Sequence, residues 1–368
     1  MEKNTIKLIH RNIGIELLRV YSMYMIIILH ILSIGGILKN NTILSIKYES
    51  TWLLEILCYC AVNCYAIITG YVMCMSRVKY YKIILLWIQV ELYSIIITIL
   101  LTLFTDLDIG VRNYIKAFTP ILSQQYWYFT AYFGMFLIVP CLNLVVEYMN
   151  KRHFQILLLN LGIWFSVLPV LRQVDTFKIL RGYHMVWLMI MYMVGAYIRK
   201  YVNIHNVSKI KAFSVYLVAC IGTWANKWAI EKLTLKIFGE IRYGEIFIQY
   251  ISPTIVVAAI GLFLFFLKID VNHKMGNKII KILAPVSFSV YLIHAHPLVY
   301  EYILQDRFIG FLKYSPLVMI VAVMLTALLI YLFCTVIDYV RIAIFNFLRI
   351  EEKCTNLVDW VKMKFALE

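Results

Sequence analysis

Glu16, Arg19 and His30 fall inside one apolar stretch, residues 14–38. An ionisable residue inside such a stretch is costly if the stretch lies in a bilayer, and by default it marks a functional site. Their spacing puts them on one helical face, together with Met23, Ile26 or Ile27, and Ser33. Arg19 and His30 are eleven residues apart, close to three turns, or ~16 Å along a helix axis. A neutral imidazole can take a proton or act as a nucleophile. A guanidinium presents a fork of donors suited to anions. A face carrying all three groups has to line a polar cavity rather than meet lipid.

Each residue alone has a plainer reading. Glu16 and Arg19 can pair at i,i+3 with Arg19 reaching toward headgroups, and a lone intramembrane histidine can be a hydrogen-bonded packing residue. Their convergence on one face favours the functional reading. Glu91 and Asn63, also within apolar stretches, are expected to hydrogen-bond between helices. Tyr126, Trp127 and Tyr128 suit an interfacial aromatic belt. His294 and His296 are two apart, so they do not share a helix face and make a poor zinc pair. No HExxH, P-loop, GxSxG or GxGxxG pattern is present.

The elements that hold these residues follow from composition. The 368 residues are 62% apolar and 15% charged, with mean hydropathy +0.81, whereas a soluble domain is about half apolar and about a quarter charged. Long apolar stretches recur at 14–38, 51–76, 80–104, 126–148, 154–171, 184–200, 211–231, 246–268, 283–304 and 314–345. Spans of ~20 residues must be helical in a bilayer, and the alternating pattern of a membrane barrel is missing. The expected fold is all-α: a polytopic transmembrane helical bundle of about ten spans, residues 1–345, with a short tail, 346–368. In the tail, Trp360, Val361 and Phe365 interleave with Lys362 and Lys364, as in an interfacial helix.

The net charge of +15 does not point to nucleic acid, because the basic residues punctuate apolar spans and form no long run. Of the 35 Lys and Arg residues, 21 fall on the side of the N-terminus and 12 on the other, which predicts both termini in the cytoplasm. The first stretch carries Glu16 and Arg19 and has no small-residue cleavage site, so it reads as a retained helix rather than a signal peptide. Seven of the eight cysteines lie within apolar stretches without a CxxC pair and read as small buried residues. No internal repeat is evident, which weakens an inverted-repeat transporter.

Five blocks spread along the chain resemble the acyltransferase 3 family, bacterial integral-membrane O-acyltransferases that modify surface glycans. They are Arg11 to Arg19 continuing to His30; Val62 to Tyr71, with Thr69 where the family usually has Ser; Tyr126 to Tyr132 with Pro140 to Asn143; Tyr192 to Lys200; and Ser289 to His294. The form matched is the one without an attached extracellular domain. The resemblance implies acetyl-CoA or another acyl-CoA as the cytoplasmic donor and a lipid-linked or surface saccharide or glycolipid as acceptor. The setting would be the plasma membrane, in contact with membrane lipid and without a metal. It assigns Arg19 and His30 as the essential pair. Glu16, Asn63, Trp127, Tyr128, Tyr132, Tyr291 and His294 are expected to contact substrate. The competing classes are a secondary transporter with Glu16, Glu91 and His30 as a proton relay, and a lipid-linked saccharide flippase.

Overall fold

The structure is a computed structural model that describes residues 12–106, 109–270 and 273–365. Lys3, Lys7 and Arg11, which entered the charge count, lie outside the described residues. Among the described residues there is no strand. The helices are α1 (Ile13–Leu32), α2 (Ile46–Tyr59), α3 (Ala61–Met73), α4 (Tyr80–Phe104), α5 (Val111–Phe118), α6 (Trp127–Tyr148), α7 (Lys151–Gly162) and α8 (Leu168–Arg172). They continue with α9 (Met185–Tyr201), α10 (Lys209–Phe238), α11 (Pro253–Leu267), α12 (Lys274–Leu283), α13 (Ser287–His294), α14 (Pro297–Val299), α15 (Pro316–Phe347) and α16 (Ile350–Lys364).

The starts of several helices are written locally. Asn12, Ser45, Asn150 and Ser208 accept hydrogen bonds from the backbone N–H groups of Ile15, Tyr48, His153 and Lys211, filling donors that a first turn leaves unpaired. Pro253 and Pro316 open α11 and α15, where a missing N–H costs nothing. Gly239, at φ 72°, closes α10.

Among the described residues, six helical segments are long and apolar enough to cross a membrane: α1, α2 with α3, α4, α6, Lys151–Arg172 and α15. The pair α12 and α13, bent by 46°, passes the same test only when taken together, as a broken span or a re-entrant loop. The span expected at 283–304 is therefore not one helix. Pro285 sits in the bend, and Pro297 forces His296 into extended backbone (φ −62°, ψ 133°), because the proline ring excludes the helical region for the residue before it. The expected span at 51–76 begins earlier, at Ile46, and breaks at Cys60.

α1 packs at the centre, against α2, α3, α11, α12, α13 and α15. Where Gly14 meets the end of α11, a Cβ would stand 1.9 Å from the Phe266 carbonyl oxygen. α3 and α9 approach as closely: a Cβ on Gly70 would lie 2.0 Å from the Tyr192 oxygen, and one on Gly195 2.1 Å from the Ile67 oxygen. With little hydrophobic force between helices in lipid, such backbone contact supplies the packing. The outward faces carry exposed Leu103, Phe104, Leu329 and Phe333, which suit lipid. In α10, Lys227 Nζ is 2.6 Å from Glu231 Oε2, both side chains buried. The same ammonium lies 4.3 Å from the Tyr48 ring centroid and 4.5 Å from that of Trp52.

Candidate active site

A cavity of about 1260 Å³ runs through the bundle. At one end Arg19, Lys82, Arg341 and Arg349 line it, with Glu351 and Glu352 on the rim; at the other stand Glu55, Tyr59, Trp127, Tyr183 and Tyr250. His30 and Ser33 face the same space, as do Tyr65, Tyr128, Tyr132 and Tyr291.

The face expected on α1 is present. Arg19 Nη1 donates to Glu16 Oε1 at 3.0 Å and Oε2 at 3.2 Å, and the buried Glu16 thereby orients the guanidinium beside the cavity. The Arg19 carbonyl accepts from the Tyr65 hydroxyl at 2.8 Å. Above it the tyrosines form a collar: Tyr65 to Tyr128 at 6.2 Å between ring centroids, Tyr128 to Tyr132 at 6.3 Å, and Tyr128 to Tyr291 at 6.2 Å.

His30 sits near the far end of α1. Its Nδ1 is 3.0 Å from His294 Nε2, and His294 Nδ1 is 2.5 Å from the Val290 carbonyl oxygen. These contacts fix the protons. A carbonyl only accepts, so His294 carries its proton on Nδ1, and in the neutral ring Nε2 is then an acceptor. His30 must donate from Nδ1, which leaves its Nε2 as the accepting nitrogen. The Tyr300 hydroxyl lies 2.9 Å from both His30 ring nitrogens and can donate to Nε2. Because the chain of donors stops at a carbonyl, His294 orients and polarises His30 and cannot pass a proton onward.

Local structure places these partners. Tyr300 opens a π turn, Tyr300–Leu304, a distortion frequent at functional sites. The segment after it is clamped to the end of α1 by Asp306 N to the Ile34 oxygen and Phe308 N to the Gly35 oxygen, both 3.0 Å. Gly36, at φ 87° with Asp306 against it, permits the turn. On α13, Ser289 bonds Gln89 of α4, and Tyr126 donates to the Leu292 oxygen at 3.0 Å, holding the helix that carries His294.

The structure therefore gathers Arg19, His30, Trp127, Tyr128, Tyr132 and Tyr291 around one cavity, with Glu16 against Arg19. Two expected substrate contacts lie elsewhere. Asn63 is fully buried behind the wall, donating to the Tyr250 oxygen at 2.8 Å and accepting from Trp187 Nε1 at 2.9 Å, so both ends of its amide are occupied. His294 stands behind His30, off the cavity surface. Glu91 does not bond to another helix: its Oε1 accepts from Trp87, one turn away on α4, at 2.9 Å, on a face with its own apolar groove. His296 caps the turn at Leu298 (3.2 Å) and contacts Gln125.

The comparison with known families decides what kind of protein carries this cavity. The model of an acyltransferase domain, acyltransferase 3, matches residues 12–337. The chain belongs to the acyltransferase 3 family. It is a multi-pass membrane acyltransferase. No curated protein and no solved structure matches it. The matched region of this acyltransferase holds His30, Tyr300 and the whole aromatic end of the cavity, and stops just short of Asp338. Asp338 is fully buried and holds Arg341 by two hydrogen bonds of 2.6 and 2.8 Å while accepting from Tyr93 at 2.7 Å. Sequence reasoning had counted Lys82, Arg341 and Arg349 among the basic residues near span ends, not as cavity residues. It had no signal for Tyr300. Glu55, an acid within an apolar stretch, carried the same signal as Glu16 and was passed over.

Proposed function

We propose that the protein transfers an acetyl group from cytoplasmic acetyl-CoA to a hydroxyl of a cell-surface or lipid-linked saccharide, working in a bacterial plasma membrane. The carrying observation is the single cavity that joins a basic mouth to an aromatic-walled end, with the His30 lone pair between them. In this reading about ten helices cross the bilayer, α9, α10 and α11 among them, and both termini are cytoplasmic. The basic mouth then faces the acyl-CoA pool. Arg19, Lys82, Arg341 and Arg349 offer cationic partners for the phosphates of the donor, and the pantetheine arm extends past the tyrosine collar toward His30.

The acceptor hydroxyl takes the place of the Tyr300 hydroxyl at His30 Nε2 and gives its proton there as its oxygen bonds to the thioester carbonyl carbon. The carbon–sulfur bond breaks, and the imidazolium returns the proton to the departing thiolate, leaving an ester and free CoA. During the step the Nδ1–H of His30 points at the His294 lone pair, which stabilises the transient positive charge. A proton relay for transport is less well supported, because Glu91, one of its three members, faces away from the cavity toward Trp87.

The test is radiolabelled acetyl-CoA with membranes containing the protein. Acceptor-dependent release of CoA, with label moving into glycan, is expected. His30→Ala and His30→Gln should both abolish it at unchanged protein level, since an amide bonds but exchanges no proton. Full activity of the Gln variant would sink the assignment of His30.

A further inference from the structure

Glu55 lies on α2 one turn before Tyr59, so the two side chains share a face. Glu55 is 5% exposed, and its Oε2 has no hydrogen-bond partner. It borders the cavity at the end away from Lys82 and Arg349. A buried carboxylate oxygen left unpaired is unfavourable, and a bound hydroxyl would relieve it. Around it four rings form a continuous group: Tyr59 to Tyr250 at 5.0 Å, Tyr250 to Tyr183 at 4.9 Å, and Tyr183 to Trp127 at 4.4 Å. All four line the cavity. Asn63, by holding the Tyr250 carbonyl, fixes this group from behind.

We infer that Glu55 and these rings form the acceptor subsite, and that it takes an uncharged pyranose. The apolar C–H face of the sugar ring lies on the aromatic faces, whose quadrupoles are negative. Hydroxyls on the sugar edge hydrogen-bond to the Glu55 carboxyl and occupy its vacant Oε2. Among the described residues no Lys or Arg lines this end of the cavity, so a sugar carboxylate would be buried there without a cationic partner and is disfavoured. The inference rests on the saccharide-acceptor reading and adds to it the charge of the sugar and the residue that selects it.

The test measures binding without acyl-CoA. Purified protein in nanodiscs is titrated with octyl β-D-glucopyranoside below its critical micelle concentration, following tryptophan fluorescence. The octyl glucuronide and a sugar-free octyl polyoxyethylene ether serve as controls. The wild type should show saturable quenching by the glucoside, about tenfold weaker binding of the glucuronide, and no saturable response to the ether. Glu55→Leu should weaken the glucoside about tenfold. Tyr183→Leu should weaken both sugars alike. No sugar-dependent quenching in the wild type, glucuronide binding as tight as glucoside binding, or unchanged glucoside affinity in Glu55→Leu overturns the subsite. A protein that binds as described yet never releases CoA keeps the subsite and loses the acyl-transfer reading. One that acetylates the glucoside equally well with Glu55→Leu keeps the reaction and loses the subsite.

Discussion

His294 Nε2 faces His30 Nδ1 at 3.0 Å, and that one contact sets which nitrogen of His30 is left to accept a proton. A residue that works by holding a tautomer is replaceable by any group that accepts a hydrogen bond at the same place. His294→Gln, whose amide oxygen can accept from Nδ1–H, should keep acyl transfer within about tenfold of wild type. His294→Leu should lower kcat about 100-fold, within the usual range for a positioned acid–base group, and leave the KM for acetyl-CoA unchanged. Equal activities of the two variants would show that His294 only fills space.

Arg19 is oriented by Glu16 and stands ~16 Å along α1 from His30, too far to share the reacting atoms. Arg19→Lys keeps the charge and loses the bidentate fork. Its KM for acetyl-CoA should rise about tenfold while the KM for the acceptor stays within about twofold. A loss confined to membrane insertion, with normal kinetics in the surviving protein, would return Arg19 to a purely structural role.

Sidedness can be read by cysteine labelling, but not at Cys354, which α16 keeps only 4% exposed. In a Cys141→Ser background, Thr42→Cys should react with an impermeant maleimide in intact cells. Asp359→Cys should react only after lysis. Both native positions are exposed. The reverse pattern would put the basic mouth on the outer surface, away from any acyl-CoA.

The buried pair Lys227 and Glu231 makes a prediction about stability. Lys227→Met leaves the buried Glu231 carboxylate with the Tyr48 hydroxyl, 3.0 Å away, but without its cation. Breaking a buried pair in this way costs about 3–5 kcal/mol. The variant should lose folded protein in a detergent thermal-aggregation assay, and adding Glu231→Gln should recover most of the loss. A double variant as unstable as the single one would show that the pair is not the stabilising unit.

The helical periodicity of α1 was enough to place Glu16, Arg19 and His30 together, because their neighbours on the face are consecutive turns of one helix. The helical class was legible in the same way, since apolar length requires it. His294 was visible as a motif residue, yet its meeting with His30 depends on how α13 crosses α1, and no local spacing encodes a crossing. Tyr300 is more remote still: its position comes from a π turn and from two backbone bonds to Ile34 and Gly35. Asn63, expected from its place in an apolar stretch to bond between segments and from the family resemblance to touch substrate, does the first: both ends of its amide go to Tyr250 and Trp187. The break at Pro297 was readable, since a proline cannot continue the backbone ladder, whereas the break at Cys60 has neither proline nor glycine to announce it.

The tyrosine collar around Tyr65, Tyr128, Tyr132 and Tyr291 has a bioenergetic consequence. A coupling membrane stores about 2.3 kcal/mol per elementary charge for each 100 mV across it, and a continuous file of water through the bundle would discharge that store. A cavity that reaches from a basic mouth to a sugar-sized chamber is such a path unless something insulates it at every stage of turnover. In the proposed reaction the collar rings, 6.2 to 6.3 Å apart between centroids, have to provide that insulation around the donor's pantetheine arm. The collar side chains would then bear on cell viability as well as on donor binding. Trimming Tyr128 or Tyr132 to alanine should make expression of this acyltransferase depolarise the cell, whatever becomes of its catalytic rate.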